Sequence, residues 1–283
     1  MKPTRSPKSI PDMKTTTLPA AFCRTAILFL ASAGSSAHET WLLPDDFSPA
    51  AGSLIEFQMS SGMGFPAKGS AITPDRVVDA SLANNLSIHA LDPQRATDGG
   101  LSLQALAKEG LNCVWVQLRP RILEIPDHDD IKHYLEEIGA GDSVWQHWNA
   151  EKDEDLWRES YSKLARTYLR ASASGATPDC TATASKSRFE ILPLQDPTQL
   201  RAGGSLDLRV LFDGEPISGQ SVAVVREGDQ PKPLLSSDEK GLLKVQTTGI
   251  GRYMVYATHL RAIDKGNFNW ESDFVTLTFE VLH

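Results

Sequence analysis

The chain has 283 residues, with 36 acidic against 28 basic side chains, a net charge of −8, 41% apolar residues and 3 cysteines. That length allows one large domain or two ordinary ones with sizeable cores. The acidic balance opposes nucleic acid and anionic membrane surfaces as partners and mildly favours cations.

Residues Ala26 to Ala33 form a short apolar run behind Lys14 and Arg24, and the small residues Ser35 and Ala37 precede a cleavage point. The pattern predicts a secretory signal over residues 1–37, too short to span a membrane. Met13 offers a second start for the same leader, and Cys23 is discarded with it. A competing cut after Ala33 stays open, but a cut after Ala37 makes His38 the first residue of the mature chain. The expectation is a periplasmic or secreted protein with no membrane span once the leader is gone. The leader removes mostly basic residues, so the mature chain is more acidic still. Cys113 and Cys180 remain, and in an oxidising compartment such a pair is expected to form a disulfide rather than a metal site.

From Trp41 to Leu118 the sequence reads as short strands broken by turn residues. Leu54, Phe57 and Met59 lie in one strand, Leu86-Ser87-Ile88 in another and Val114 to Leu118 in a third; Pro49-Ala50-Ala51-Gly52 and Asp98-Gly99-Gly100 separate them. The period changes between Pro126 and Arg170. Ile131, Tyr134, Leu135 and Ile138 fall at helical spacing, and Trp157, Tyr161, Leu164, Ala165 and Tyr168 repeat it, which predicts two amphipathic helices. Gly139-Ala140-Gly141 ends the first, and the acidic Glu151 to Asp155 suits the start of the second. Ala171 to Ser187, rich in Ala, Ser and Thr, reads as a linker or exposed loop. Strands return at Phe189 to Leu194, Ser205 to Phe212, Ser221 to Arg226, Leu242 to Gln246, Arg252 to His259 and Asp273 to Val281.

This pattern predicts a mainly β chain of two antiparallel β-sandwich domains of immunoglobulin- or transthyretin-like type. The first covers residues 38–187 and carries an α-helical insertion at about 126–170; the second covers 188–283. A faint likeness between Phe47 to Leu54 and Leu200 to Leu206 fits two related sandwiches.

Several motifs resemble the domain-of-unknown-function family 4198. They are His38-Glu39-Thr40-Trp41-Leu42, Gly62-Met63-Gly64-Phe65-Pro66, the Leu194 to Gly219 segment, Gly251-Arg252-Tyr253, and Trp270-Glu271-Ser272-Asp273-Phe274 ahead of Thr276 to Val281. The resemblance covers essentially the whole mature chain and keeps the order of the motifs. Members of that family are described as periplasmic components of nickel or cobalt uptake systems. The resemblance therefore implies metal capture beside a metal-uptake transporter of the inner or outer membrane. His38 with Glu39 and Trp41 matches the family's start, and His259 with Trp270-Glu271 its late segment. Thr40 departs from the pattern, where an aromatic residue is more usual, and this leaves open how the first strand packs.

A terminal histidine can hold one ion through its amine nitrogen and Nδ1, but a selective site needs further ligands. The candidate metal ligands are His38, His259, Glu271 and Glu39, with His89 weaker. Each also has an ordinary reading: a frayed terminus, a histidine satisfied at a strand end, a carboxylate marking a hairpin turn. Nickel or cobalt is expected, with copper or zinc open, because the general affinity order favours Cu²⁺ at almost any nitrogen site. Asp127-His128-Asp129-Asp130 with His133 reads as the acidic opening of a helix, and the two histidines share no helix face. His147 beside Trp145 and Trp148 reads as part of an inter-helix connection, and Met59 and Met63 as core filling. No nucleophile elbow, phosphate loop, dinucleotide fingerprint or H-E-x-x-H helix appears, so no enzyme is expected. Two other readings stand beside metal capture. One is a structural or interaction module of the cell envelope with no metal role; the other is a copper-dependent oxidase using the terminal histidine as a brace.

Overall fold

A computed structural model describes Met1 and residues 38–283, except 71, 85–86, 98–99, 152–155, 173–184, 231–232 and 266. The chain divides between Gly34 and Ser35, and Ser35–His283 is one compact unit. The predicted leader lies outside the described residues apart from Met1, as do Cys180 and most of the segment read as a linker.

The first part of the chain supplies β1 (Glu39–Pro44), β2 (Leu54–Gly62), β3 (Val77–Ala83), β4 (Ile88–Ala90), β5 (Pro93–Thr97), β6 (Gly100–Leu106) and β7 (Gly110–Ile125). Two helices follow, α1 (His128–Glu137) and α2 (Asp142–Glu151), and then β8 (Trp157–Ala171). The remainder gives β9 (Phe189–Pro193), β10 (Ser205–Phe212), β11 (Glu215–Pro216), β12 (Ser221–Arg226), β13 (Leu235–Ser236), β14 (Leu242–Gln246), β15 (Gly251–Lys265) and β16 (Phe268–Val281).

These strands build three layers. A central eight-stranded sheet runs β13-β12-β15-β16-β8-β7-β3-β4, flanked by β1-β2-β6-β5 and by β11-β10-β14 with β9 paired to β10. Successive side chains of a strand point to opposite faces, and the central strands use both. Val114, Val116, Ala165, Val225 and Met254 join a core with Trp41, Phe57 and Met59 of the first flanking sheet. Their neighbours Trp115, Leu164, Val224 and Val255 join Ile191, Leu208 and Val210 of the second. The fold is thus mainly β and sandwich-like, with one sheet common to both halves of the chain. The halves meet where β16 pairs β8 in parallel, from Trp270 opposite Glu159 to Thr278 opposite Thr167.

The helices cover the protruding ends of β7, β8, β15 and β16. Ile131, Tyr134, Leu135 and Trp148 pack there with Leu123, Ile125, Trp157, Leu260, Trp270 and Phe274. Asp127 caps α1 by accepting from the backbone N–H groups of Asp129 and Asp130, the helix-opening role expected of this acidic run. Gly139 ends the turn after α1 at φ +62, and a Cβ there would strike Ser221 Oγ at 2.6 Å. Ser221 Oγ instead donates to the Gly139 carbonyl at 2.7 Å.

The second expected helix is not formed: Trp157 to Tyr168 lies in β8. Its apolar residues serve two cores, one on each face, so the alternation that marks a half-buried strand is erased and the remaining spacing imitates a helix. The second helix is instead α2. His147 sits inside it rather than in a connection, 3.1 Å from Glu151.

Two buried side chains of the central sheet are held by a covalent bond and by an ion pair. Cys113, fully buried, is disulfide-bonded; its expected partner lies outside the described residues. Arg166 of β8 donates to Glu190 of β9 at 2.7 Å, with side chains 0% and 7% exposed, and its guanidinium lies 5.5 Å from the Trp115 ring centroid.

Candidate metal-binding site

His38 stands immediately before β1, and the strand's attachments decide how firmly it is held. Lys163 of β8 donates from Nζ to the His38 carbonyl and, at 3.2 Å, to Thr40 Oγ1. Ser61 Oγ donates to the carbonyls of His38 at 3.4 Å and Glu39 at 3.1 Å. On the other side of β1, Thr276 and Thr278 of β16 donate to the carbonyls of Thr40 and Leu42 at 2.6 and 2.5 Å. Thr40 itself is 3% exposed, and its hydroxyl lies 3.0 Å from Ser61 Oγ. A hydroxyl here serves a polar seam between β1, β2 and β8, which accounts for the departure from an aromatic residue.

Glu39 and Lys163 face a buried, acidic and basic neighbourhood. Burial raises the Glu39 carboxyl to about 8, with Lys163 opposing the rise and Glu137 adding to it. Burial likewise lowers the Lys163 ammonium to about 8, against the pull of Glu39. Glu39 as a residue keeps some exposure, yet its Oε2 is buried with no hydrogen-bond partner. A buried acceptor without a donor is costly, and a protonated carboxyl relieves that cost by making Oε2 or its twin a neutral hydroxyl. Deeper in, Glu159 is 0% exposed. It accepts from Tyr134 Oη and Trp157 Nε1, each at 3.0 Å, and from Ser272 Oγ. Burial outweighs these three donors and keeps its carboxyl above the usual range.

His259 and Glu271 lie on the opposite face of the central sheet. His259 of β15 is flanked by Phe189 and Phe212, with ring centroids 5.4 and 4.6 Å away. The Gln220 amide donates to the carbonyls of Ser221 and Thr258, each at 3.0 Å. Its oxygen must then accept from His259 Nδ1 at 2.9 Å, which fixes the tautomer and leaves Nε2 as the lone-pair nitrogen. The ring borders a pocket of about 150 Å³ between the α1–α2 turn and the 217–221 loop. Glu271 is engaged by two arginines, Arg261 at 2.7 Å and Arg188 at 3.2 Å, and Arg261 also holds Asp273 at 2.9 Å. The structure therefore brings His38 and Glu39 together and sets His259 and Glu271 apart from them. His89, on the exposed strand β4, is 2.7 Å from Ser87 Oγ. Among the described residues, no group of three or more His, Cys, Asp and Glu side chains stands in position to hold a metal ion.

Burial, with Arg261 next in effect, lowers the His259 imidazole to about 4. An unfolded histidine titrates near 6.5 and so binds its proton first as pH falls. Between about 6.5 and 4 the unfolded state therefore holds more protons, and stability is lost as pH drops through that window. The loss is at most about 1.4 kcal/mol per pH unit, less where solvent screens the ring. Denaturant midpoints across that range should fall more steeply for the natural protein than for His259→Leu; parallel slopes would remove the assignment.

Sequence reasoning missed Lys163, Glu159 and Tyr134, because the first two lie in the stretch read as a helix. Their spacing carried a signal only at the start of β8, where buried Trp157 and Glu159 alternate with half-buried Arg158 and Ser160; from Lys163 to Leu169 every residue is buried and the alternation is lost.

These layers and this buried seam define a three-layered β-sandwich protein whose N-terminal strand is locked at the mouth of a polar cluster. The chain belongs to the family "Domain of unknown function (DUF4198)", whose model matches residues 35–261. No curated protein matches the chain. Among solved structures it is similar to the three N-terminal domains of the bacteriophage RB49 Highly Immunogenic Outer Capsid protein, at 7% identity and TM-score 0.20. That match covers 85% of this chain and 59% of the other. A tetra-tandem repeat in the extending region of a large adhesion protein matches at 12% identity and TM-score 0.20, over 87% and 49%. Native alpha-2-macroglobulin from Escherichia coli, spanning domains MG0-NIE-MG1, matches at 10% and 0.21, over 86% and 97%. The chain thus spans 59% and 49% of the length of the first two, and likeness this loose carries no argument. Among the described residues, no helix is long and apolar enough to cross a membrane.

Proposed function

We propose that the protein is exported, is cut ahead of His38, and captures Ni²⁺ or Co²⁺ for a metal-uptake transporter of the cell envelope. The observation that carries this reading is the anchoring of His38. Its carbonyl is held by Lys163 and Ser61, and the following strand is clamped by Thr276 and Thr278. A residue so held is presented in one place rather than frayed, and pre-placed donors bind with less loss of freedom.

The amine and imidazole of His38 supply the chelate, with Glu39 next to it in sequence; His259 and Glu271, on the opposite face of the central sheet, have no part in it. The same proposal carries the finer fold reading. Two immunoglobulin- or transthyretin-like sandwiches, 38–187 and 188–283, are fused through the shared central sheet, with Cys113 and Cys180 bridged. Metal should leave on acidification, because both nitrogen donors must be deprotonated to bind. The test is N-terminal and intact-mass analysis of protein from the exported fraction, followed by Ni²⁺ and Co²⁺ titration of that material at neutral pH. Saturable binding by chains beginning at His38 is expected; a verified His38 terminus without binding ends the proposal.

A further inference from the structure

We propose that Glu39 and Glu137 form a second cation site, distinct from the chelate at His38, which takes one calcium-sized dication between β1 and the negative end of α1. The inference does not depend on the reading of His38.

A cavity of about 10 Å³ lies where β1, α1, β12 and β15 meet, with Glu39, Tyr134, Glu137, Ser221, Tyr256 and Thr258 on its wall. That is about the room of one water molecule or one bare ion. Glu39 Oε2 is buried and no hydrogen bond reaches it, so the wall carries an acceptor that the protein itself leaves unanswered. Lys163 acts on Glu39 through its charge, but its ammonium is bonded to the His38 carbonyl and to Thr40 Oγ1.

The second carboxylate stands at the mouth, since Glu137 is exposed and lines the same cavity. It is the last residue of α1, whose last turn holds no basic side chain. A helix gathers partial negative charge at that end, so a carboxylate there is disfavoured unless a cation answers it. Both acids act on one ring between them. The Tyr256 phenol is pushed up to about 12, first by burial and then by Glu39 and Glu137. Two carboxylates, a helix end and an orphaned acceptor thus converge on space for one ion.

The donors indicate which ion. All are oxygens, which suit hard cations rather than those that prefer nitrogen or sulfur. Ser221 spends its hydroxyl proton on the Gly139 carbonyl at 2.7 Å, so it can turn only lone pairs to the cavity. Two carboxylates balance a double charge. Mg²⁺ keeps several waters, for which the cavity has no room, whereas Ca²⁺ accepts protein oxygens in flexible geometry.

The experiment titrates Ca²⁺ into the metal-free exported chain by calorimetry, for the natural protein, Glu137→Gln and Glu136→Gln, with Ni²⁺ titrated in parallel. Glu136 is exposed and is not on the cavity wall, so its variant removes the same charge from the same turn without touching the site. The natural chain should bind one Ca²⁺. Glu137→Gln should weaken that binding at least about tenfold through lost ligand charge, and Glu136→Gln should stay within about twofold, as for a screened surface charge. Ni²⁺ binding should be the same in all three. No saturable Ca²⁺ binding by the natural chain overturns the inference. Equal weakening by the two variants also overturns it, because that marks general attraction to an acidic surface. Loss of both ions in Glu137→Gln overturns it too, since the two sites would then be one. The Ni²⁺ titration of the natural chain tests nickel capture separately, so either reading can fail alone.

Discussion

Placing one extra alanine ahead of His38 should weaken Ni²⁺ binding by about 10²–10⁴-fold, because it removes one of two linked donors. The addition turns the His38 amine into a peptide nitrogen and moves the free amine one residue away, where it no longer closes the six-membered ring with Nδ1, and it spares the imidazole and Glu39. His38→Ala keeps the amine and removes the ring, and its loss should be similar in size. Together the two variants separate a chelate from a lone histidine. If the extended chain binds as tightly as the mature one, the amine takes no part. Isothermal titration on material of verified mass provides the measurement.

Replacing Arg166 by methionine should destabilise the protein by about 3–5 kcal/mol, the usual cost of stripping one partner from a buried ion pair. Glu190 would be left at 5% exposure with the Ser185 N–H, at 2.7 Å, as a remaining donor. Methionine roughly fills the space of the arginine stem and keeps contact with Trp115. The deficit is therefore electrostatic. For a chain of this size it corresponds to a fall in Tm of about 6–20 °C, at about 2–4 °C per kcal/mol. The double variant Arg166→Met with Glu190→Leu should recover much of the loss, because a well-packed apolar pair is often as stable as the buried ions it replaces. Calorimetry on the three proteins decides it; a single variant within 1 kcal/mol of the natural protein, an explicit threshold of about one hydrogen bond, would show the pair to be idle.

The second half of the fold was plainly written in the sequence. Ser205 to Phe212, Ser221 to Arg226 and Leu242 to Gln246 are the observed β10, β12 and β14, each bounded by glycine-bearing turns. The α1 helix was legible for the same reason: one face of it is buried, so its period survives. β8 was misread because a central strand buried on both faces has no polar face to alternate with. α2 was missed for the opposite reason, since among its residues Trp148 is buried and the rest keep exposure, leaving little periodic signal. At the site, proximity of His38 and Glu39 is trivial in sequence, but the separation of His259 and Glu271 depends on which face of the sheet each occupies. That follows from register, and register follows from pairings more than a hundred residues apart.

The clamp on β1 has a consequence for how the molecule comes into being. Thr276 and Thr278 reach back 236 positions to Thr40 and Leu42, so β1 is closed by residues synthesised long after it. Contacts so distant along the chain are made late and slowly, and a chain emerging N-terminus first carries β1 unclosed until β16 arrives. The residue that would meet the ion is therefore held only once β16 is in place, and a chain stalled before β16 would present His38 on a loose end.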